Sequence, residues 1–381
     1  MKRIHLAWIL STQLLCGVAH AQNSVTLYGL IDEDRNFTTN ASGERAYQLV
    51  SGDAVGSRWG IKGHEDLGAG VAAVFQLESG FNSNTGGLGQ GGRLFGRQAY
   101  VGLSSAPYGK LTMGLQNDPT VDMWSDFTAA GKWEGDLASH PYDNDNADED
   151  FRIQNAVKYV TPTISGLAAE MMAGFSDGSG GFANNRMYSA AAHYQRGPLC
   201  AAIAYMKIDN GGANDLGTIS SATTVFTANS QQNIDAGVSY RFFDKLNVSL
   251  AYSHVDVDNP TSNAYFTNQP AAGSQLSWKF DNFEINGQYF FVRNFWLGLA
   301  YTYTRAHVVT TTGQHVPDWN QVSMMLDYDL SARTSVYLQY AYQHANGGTG
   351  EDFDYANIVG SPSQSSTSNQ MVYGIAVSHQ F

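Results

Sequence analysis

The sequence predicts an all-β fold, a transmembrane antiparallel β-barrel of about 16 strands over residues 22–381. Strand-length segments along the whole chain alternate apolar and polar side chains, which is the period of a strand whose two faces meet different solvents. Short turns and long polar loops alternate between these segments, as in barrels that cross a bacterial outer membrane. No apolar run approaches the roughly 20 residues that a membrane-spanning helix needs.

Residues 1–21 are predicted to be a secretory signal peptide. A charged start at Lys2 and Arg3 precedes a mostly apolar stretch, and residues 19–21 (AHA) provide the small residues of a cleavage site. Cleavage leaves Cys200 as the single cysteine, so no disulfide can form within one chain. We therefore expect an exported protein located in the outer membrane.

The charge balance and motifs limit the partners. Without Lys2 and Arg3, 19 of the 21 basic residues remain against 34 acidic ones, a formal charge of −15. Nucleic-acid binding is not expected, because it requires basic patches that neutralise phosphates. No cofactor is indicated, since the G-x-G-x-x-G spacing at 87–92 precedes no helix and the ten histidines show no metal spacing. The acidic run 143–150 favours a solvated loop over a calcium site, because it lacks the glycine and glutamate spacing of a calcium loop.

The segment 57–116 shows the alternation most clearly, with Trp59 and Ile61 on one face and Arg58 and Lys62 on the other. Similar segments lie near 25–34, 71–78, 167–175, 234–242, 246–253, 283–291, 297–304, 322–329, 335–343 and 371–381. Residues 36–56 are expected to form a polar loop. Short turns are expected near 106–109, 196–198, 243–245 and 330–333, and long loops at 118–151, 208–230, 256–275 and 345–368. The terminal aromatic Phe381 suits closure of the barrel against the first strand.

Two stretches, SRWGIKGHEDLGAGVAAVFQLESGF and LFGRQAYVGL, together with SVTLYGLID and Phe381, carry a family likeness. They resemble the general-diffusion porins of Gram-negative outer membranes, of the β-proteobacterial type. The resemblance implies a barrel in outer-membrane lipid, usually a homotrimer, whose third external loop folds into the lumen. It also implies passive diffusion of small hydrophilic solutes and ions through a charged constriction.

The resemblance further implies which residues form that constriction. By position, its basic wall is Arg58, Lys62, Arg97 and Arg152. The inward loop would span about residues 117–150, with Asp118, Asp122 and Asp126 early in it as its acidic side. Residues 114–116 (GLQ) replace a G-R-Q found in many relatives, so one basic group is missing. That loss and the acidic run 143–150 favour cation selectivity as a hypothesis.

Two other classes of protein remain open from the residues alone. One is an outer-membrane barrel enzyme, for which no Ser–His or carboxylate constellation stands out. The other is a soluble exported β-sandwich or lectin, which would use the apolar faces as a packed core. The basic residues could likewise brace a barrel wall by pairing with carboxylates rather than line a pore.

Overall fold

The computed structural model describes residues 23–179 and 181–381. The predicted signal peptide lies outside the described residues and stays a prediction. No helix within the described ranges is long and apolar enough to span a membrane.

Sixteen antiparallel strands in the described part of the chain close into a barrel, which confirms the predicted fold class. Strand β1 is Ser24–Ala41, and β2 consists of two segments, Glu44–Ser51 and Arg58–Gly68. The next eight are β3 (Val71–Gly80), β4 (Gln98–Ser105), β5 (Gly109–Gln116), β6 (Ile153–Val160), β7 (Leu167–Gly174), β8 (Arg186–Arg196), β9 (Leu199–Asp209) and β10 (Ser230–Phe242). The last six are β11 (Leu246–Asp258), β12 (Gln275–Val292), β13 (Phe295–Thr310), β14 (Asp318–Ser331), β15 (Thr334–Asn346) and β16 (Asn369–Gln380).

The barrel closes between its first and last strands. Residues 30–38 of β1 pair in antiparallel register with residues 372–380 of β16. Beyond that register, Gly29 and Phe381 exchange two backbone hydrogen bonds of 3.0 and 3.1 Å. The predicted closure against the first strand is therefore confirmed.

The predicted polar loop at 36–56 is wrong. β1 continues to Ala41 and pairs with Glu44–Ser51 as a hairpin. Tyr47 and Leu49 extend the outward apolar alternation within a short, otherwise polar stretch. After this hairpin, residues 52–57 leave the sheet. The segments before and after them pair with the same edge of β1, so we treat the two segments as one interrupted strand, β2.

Alternate residues of each strand face inward and outward. On β1, Asp32, Asp34 and Asn36 are buried on the inner side, while Leu27 and Ile31 are exposed on the outer side. Such a wall needs an apolar solvent outside and a polar interior, because a soluble protein would bury the apolar set instead. The structure thus places the apolar set on the outside of the barrel and the polar set inside.

Connections at the end where the chain terminates are short, and those at the other end are mostly long. The third external connection, residues 117–152, is named here the third loop. It contains α1 (Pro119–Met123), 3₁₀ turns at Ser125–Phe127, Gly135–Ala138 and Pro141–Asp143, and a π-helical turn at Ala130–Glu134. The other external segments hold a 3₁₀ turn at Asp352–Asp354 and two-residue strands at Phe226–Thr227, Ser262–Asn263 and Gln314–His315.

Candidate pore constriction

Arg58 and Lys62 lie on the inner face of β2, opposite the inward-facing Leu30 and Thr26 of β1. Strand alternation places them there, as their spacing of four residues predicts. Arg58 is half-buried, and its guanidinium forms no ion pair with the described residues. Lys62 lies nearer the short-turn end of the barrel, with its Nζ atom 5.3 Å from the ring centroid of Tyr28. Lys62 therefore lies at a different level along the barrel axis from the arginines.

Arg97 and Arg152 converge on one carboxylate, Glu149 of the third loop. Arg97 Nη2 and Arg152 Nη2 lie 2.8 and 2.7 Å from Glu149 Oε2. Arg97 Nε also contacts Glu78 Oε1 at 2.7 Å. Residue 97 immediately precedes β4 and residue 152 immediately precedes β6, so both guanidinium groups sit at the external ends of strands.

We name Arg97, Arg152 and Glu149 the arginine cluster. Its electrostatics follow from the excess of two guanidinium groups over one carboxylate. Burial alone would raise the pKa of Glu149, but the neighbouring arginines, Arg152 first, outweigh it and hold this pKa at about 2. Burial and the charge of Arg97 lower the pKa of Arg152 to about 10. At neutral pH Glu149 and Arg152 are therefore both charged, with Glu149 as the central counter-charge of the two arginines.

The three aspartates predicted for the acidic side have different surroundings. Asp122 pairs with Lys158 of β6, and Asp126 is exposed without an ion pair among the described residues. Asp118 is fully buried and caps α1, accepting a 2.8 Å hydrogen bond from the amide of Thr120. Asp118 therefore departs from the expectation of a lumen-facing carboxylate, because a helix N-cap uses its oxygens on backbone N–H groups.

The acidic run 143–150 is largely folded into the protein rather than solvated. Asp143 and Asp145 are fully buried. Asp143 accepts hydrogen bonds from the backbone amides of Asp148 and Asp150, at 3.0 and 3.3 Å. Its oxygens are thus occupied by the loop itself, and no group of three or more metal-binding side chains occurs within the described ranges.

The third loop is attached to the inner wall by hydrogen bonds to strands β10–β14. Glu284 of β12 accepts from the amide of Ala129 at 2.7 Å, and Gln321 of β14 donates to the carbonyl of Leu137 at 3.0 Å. Asn233 of β10 donates to the carbonyl of Asp145 at 3.1 Å. These wall residues belong to the inward-facing sets of their strands, so the loop lies against the lumen side of the barrel.

An aromatic cluster fills the external half of the lumen on the β11–β15 side. Tyr142 of the third loop is fully buried at its centre. Its ring centroid lies between 5.4 and 6.5 Å from five other aromatic rings, those of Tyr265, Phe266, Phe280, Trp319 and Phe353. This part of the lumen is packed like a protein core, which leaves the opposite side for a passage.

A polar cavity of about 400 Å³ lies on that opposite side. It is lined by residues 51–57, by Arg97 and Arg152, and by third-loop residues that include Lys132 and Asp150. The segment 52–57 was missed by the sequence analysis. Asp53 accepts hydrogen bonds from Asn36 and Gln339, and its carbonyl accepts from the amide of Asp136 at 2.9 Å, so this segment connects the wall to the loop.

A closed barrel with an apolar outer wall and a charged, off-centre passage defines a class of protein, the outer-membrane channels for passive diffusion of small hydrophilic solutes. A model of the Gram-negative porin family matches residues 7–348. The chain belongs to this family, whose members are channels rather than enzymes.

Individual relatives agree with this assignment. The chain is 31% identical over 369 residues to an outer membrane porin protein of Bordetella pertussis, covering 86% of this chain and 90% of that protein. It is 30% identical over 242 residues to outer membrane porin protein 32 of Delftia acidovorans, covering 59% and 62%. An anion-selective porin from Comamonas acidovorans has a similar structure, with a TM-score of 0.71 at 20% identity over 94% of this chain and 100% of that one.

Proposed function

We propose that solutes cross this porin through the passage between segment 52–57, the arginine cluster and the third loop, and that small anions pass more readily than cations. The basic side of the constriction is Arg58, Arg97 and Arg152. Lys62 acts below it as a second positive group on the way to the periplasmic end. Asp122 and Asp126 remain on its acidic side, whereas Asp118 is left out because it is buried as a helix cap.

The free guanidinium of Arg58 carries the proposal. Arg97 and Arg152 are matched by Glu78 and Glu149, which leaves the charge of Arg58 without a carboxylate in contact among the described residues. A fixed positive charge in a narrow polar passage concentrates anions and repels cations. A guanidinium also offers several N–H donors to a passing carboxylate or phosphate.

The acidic residues that favoured cation selectivity do not offset this charge. Asp143 and Asp145 are buried away from the passage. Burial raises the pKa of Asp53, Asp136 and Asp148, which disfavours their charged form. The anion-selective porin from Comamonas acidovorans supports the same sign.

The assembly we propose is a homotrimer in outer-membrane lipid. A trimer form is described for OmpT of Vibrio cholerae, which has a TM-score of 0.66 to this chain at 17% identity. The outward apolar residues of the barrel provide the lipid-facing surface, with Tyr and Phe side chains near strand ends suited to the bilayer interface.

Reversal potentials across planar bilayers in a potassium chloride gradient test this function. Wild type is expected to prefer chloride, and Arg58→Gln is expected to lower the chloride-to-potassium permeability ratio by on the order of tenfold, because it removes the unmatched charge. Arg196→Gln serves as the matched control, since Arg196 is an exposed residue of the outward-facing set of β8, next to a short turn. A wild-type pore that prefers potassium, or an unchanged ratio in Arg58→Gln, would contradict the proposal.

A further inference from the structure

The polar cavity beside the third loop is lined by charged side chains of both signs. Its volume is about 400 Å³, which lies in the range of small-molecule sites. The arginine cluster and Lys132 contribute positive groups to its lining, and Asp136, Asp148 and Asp150 contribute carboxyls. The anion preference proposed above uses only the positive groups, so the carboxyls of the cavity still lack a role.

The three carboxyls have no cationic partner in the part of the chain that the structure describes. Asp136, Asp148 and Asp150 are each partly accessible, and none of them forms an ion pair there. Asp148 accepts a hydrogen bond of 2.9 Å from the hydroxyl group of Ser139. Asp150 accepts one of 2.6 Å from the hydroxyl group of Tyr265. Their partners are thus neutral hydroxyl groups, which do not compensate a negative charge.

A fourth carboxyl group, that of Asp53, adds to this negative set. Asp53 also lines the cavity and is only 1% exposed, and its Oδ1 atom has no hydrogen-bond partner among residues 23–179 and 181–381. A Cβ atom added to Gly360 would lie 2.6 Å from this oxygen and 3.0 Å from the Cβ atom of Asp136, so the unpartnered oxygen lies beside Asp136. A buried carboxylate oxygen without a donor is rare, and here it indicates that a positive group is missing.

The electrostatics of these carboxyls favour an incoming cation. Burial, followed by the charge of Asp136, raises the pKa of Asp148, and burial raises the pKa of Asp150 to about 7. A carboxyl group whose charged form is disfavoured in this way is stabilised in that form when a cation approaches it. A primary ammonium group offers three N–H donors, which suits a site with several carboxyls.

The positive groups of the same cavity suit a carboxylate. The two guanidinium groups of the arginine cluster share one carboxylate, and Lys132 is exposed without an ion pair to any described residue. Glu149 of that cluster lies between Asp148 and Asp150 in sequence, and consecutive Cα atoms are about 3.8 Å apart. The positive and negative groups therefore lie side by side, close enough for one small molecule to meet both.

We propose that this cavity binds small zwitterions, such as amino acids and short peptides, which carry one ammonium group and one carboxylate group. Asp136, Asp148 and Asp150 hold the ammonium group, and the arginine cluster and Lys132 hold the carboxylate group. The inference rests on the passage proposed above and names a class of solute for it. Binding inside a channel has to permit release, so the site concentrates zwitterions in the passage rather than retaining them.

Three matched solutes test the inference on the wild-type channel. Glycylglycine has both charges, N-acetylglycinate lacks the ammonium group, and glycylglycinamide lacks the carboxylate charge. The current through single channels in potassium chloride is measured at neutral pH and constant ionic strength while each solute is added. We expect glycylglycine to halve the current at a concentration about tenfold lower than either of the other two, because only glycylglycine forms charge-assisted hydrogen bonds with both sets of groups.

A double variant tests the acidic side of the cavity. Asp136→Asn with Asp148→Asn removes two negative charges while keeping similar side-chain volume. The concentration of glycylglycine that halves the current should then rise to within about twofold of that of N-acetylglycinate. Asp244→Asn is the matched control, since Asp244 is exposed in the short turn between β10 and β11, at the opposite end of the barrel. It should respond like wild type, and heat-modifiable migration on gels verifies that each variant is folded.

The outcomes separate this inference from the proposed function. Equal inhibition of the wild-type channel by glycylglycine and N-acetylglycinate would overturn the zwitterion site while the anion-preferring passage stands. Wild-type inhibition in a folded Asp136→Asn, Asp148→Asn variant would overturn it as well. Inhibition by glycylglycine that depends on these two aspartates, in a pore whose selectivity is unchanged in Arg58→Gln, would support the zwitterion site and contradict the proposed anion preference.

Discussion

The Nε2 atom of His140, in the third loop, lies 3.0 Å from Oε2 of Glu284 on the inner wall. Its Nδ1 atom lies 2.6 Å from Asp145, so both ring nitrogens donate and the ring is a cation. Burial opposes this charge, but Asp145 and Glu284 outweigh it and raise the pKa of His140 to about 10. The loop is therefore attached to the barrel by a buried set of charges that persists at physiological pH.

Replacement of His140 by Ala should loosen the third loop. The change leaves two buried carboxylates without their cation, and breaking a buried pair of this kind costs about 3–5 kcal/mol. We expect larger and noisier single-channel conductance, because the loop no longer holds one position against the wall. Recordings in planar bilayers measure the effect.

His344→Ala provides the comparison, since His344 is a partly exposed residue of β15 whose side chain contacts the exposed Asn346 and Asn369. It should conduct like wild type. A quiet channel of unchanged conductance in His140→Ala would mean that the other hydrogen bonds of the loop suffice to hold it.

Selectivity should depend on pH through Asp150. Burial raises the pKa of this carboxyl to about 7, although a 2.6 Å hydrogen bond from the hydroxyl of Tyr265 acts in the opposite direction. Below that pH the group is neutral, and above it the group adds a negative charge to the wall of the passage. Chloride preference should therefore fall as pH rises from 6 to 8, by on the order of twofold, as measured by reversal potentials.

Asp150→Asn cannot ionise, so its selectivity should vary less over the same range. If wild type and Asp150→Asn respond identically to pH, the titrating group is elsewhere in the passage. Asp148 and Asp136 are then the next residues to replace, because burial raises the pKa of each.

Much of the barrel could be predicted from period-two alternation, because each inward or outward position follows from its neighbours in sequence. The inward placement of Arg58 and Lys62 is of this kind. The cap at Asp118 could also have been found, since an Asp followed by Pro119 is a usual helix start. The sequence-based interpretation missed this cap because it treated the third loop as an acidic wall rather than as a segment with its own secondary structure.

The remaining features depend on contacts between distant parts of the chain. The hydrogen bond from the amide of Asp136 to the carbonyl of Asp53 joins two loops more than 80 residues apart, and neither local sequence indicates it. The aromatic cluster around Tyr142 likewise combines residues from separate loops and strands. Which acidic residues face the passage is decided by these contacts, so the sign of selectivity could not be read from net charge.

Two substitutions at Tyr142 should have opposite consequences. Its hydroxyl group is buried without a hydrogen-bond partner among the described residues, so Tyr142→Phe should be neutral or slightly stabilising. Tyr142→Ala removes the ring at the centre of the cluster and should cost about 3–5 kcal/mol of local stability. Protease accessibility of the third loop distinguishes the two variants, and cleavage is expected only in Tyr142→Ala. Cleavage in both variants would indicate that the hydroxyl group of Tyr142 has a hydrogen-bond partner.

Gly237 on the inner face of β10 should prove sensitive to added side-chain volume. A Cβ atom there would lie 2.5 Å from the Phe127 ring of the third loop, which is too close for two carbon atoms. Gly237→Val should therefore push the loop toward the open side and lower single-channel conductance. The adjacent Ala236 faces outward, so Ala236→Val adds similar bulk to the lipid side and should leave conductance unchanged. Equal conductance in both variants would mean that the loop yields without narrowing the passage, and that its position against β10 does not set the size of the pore.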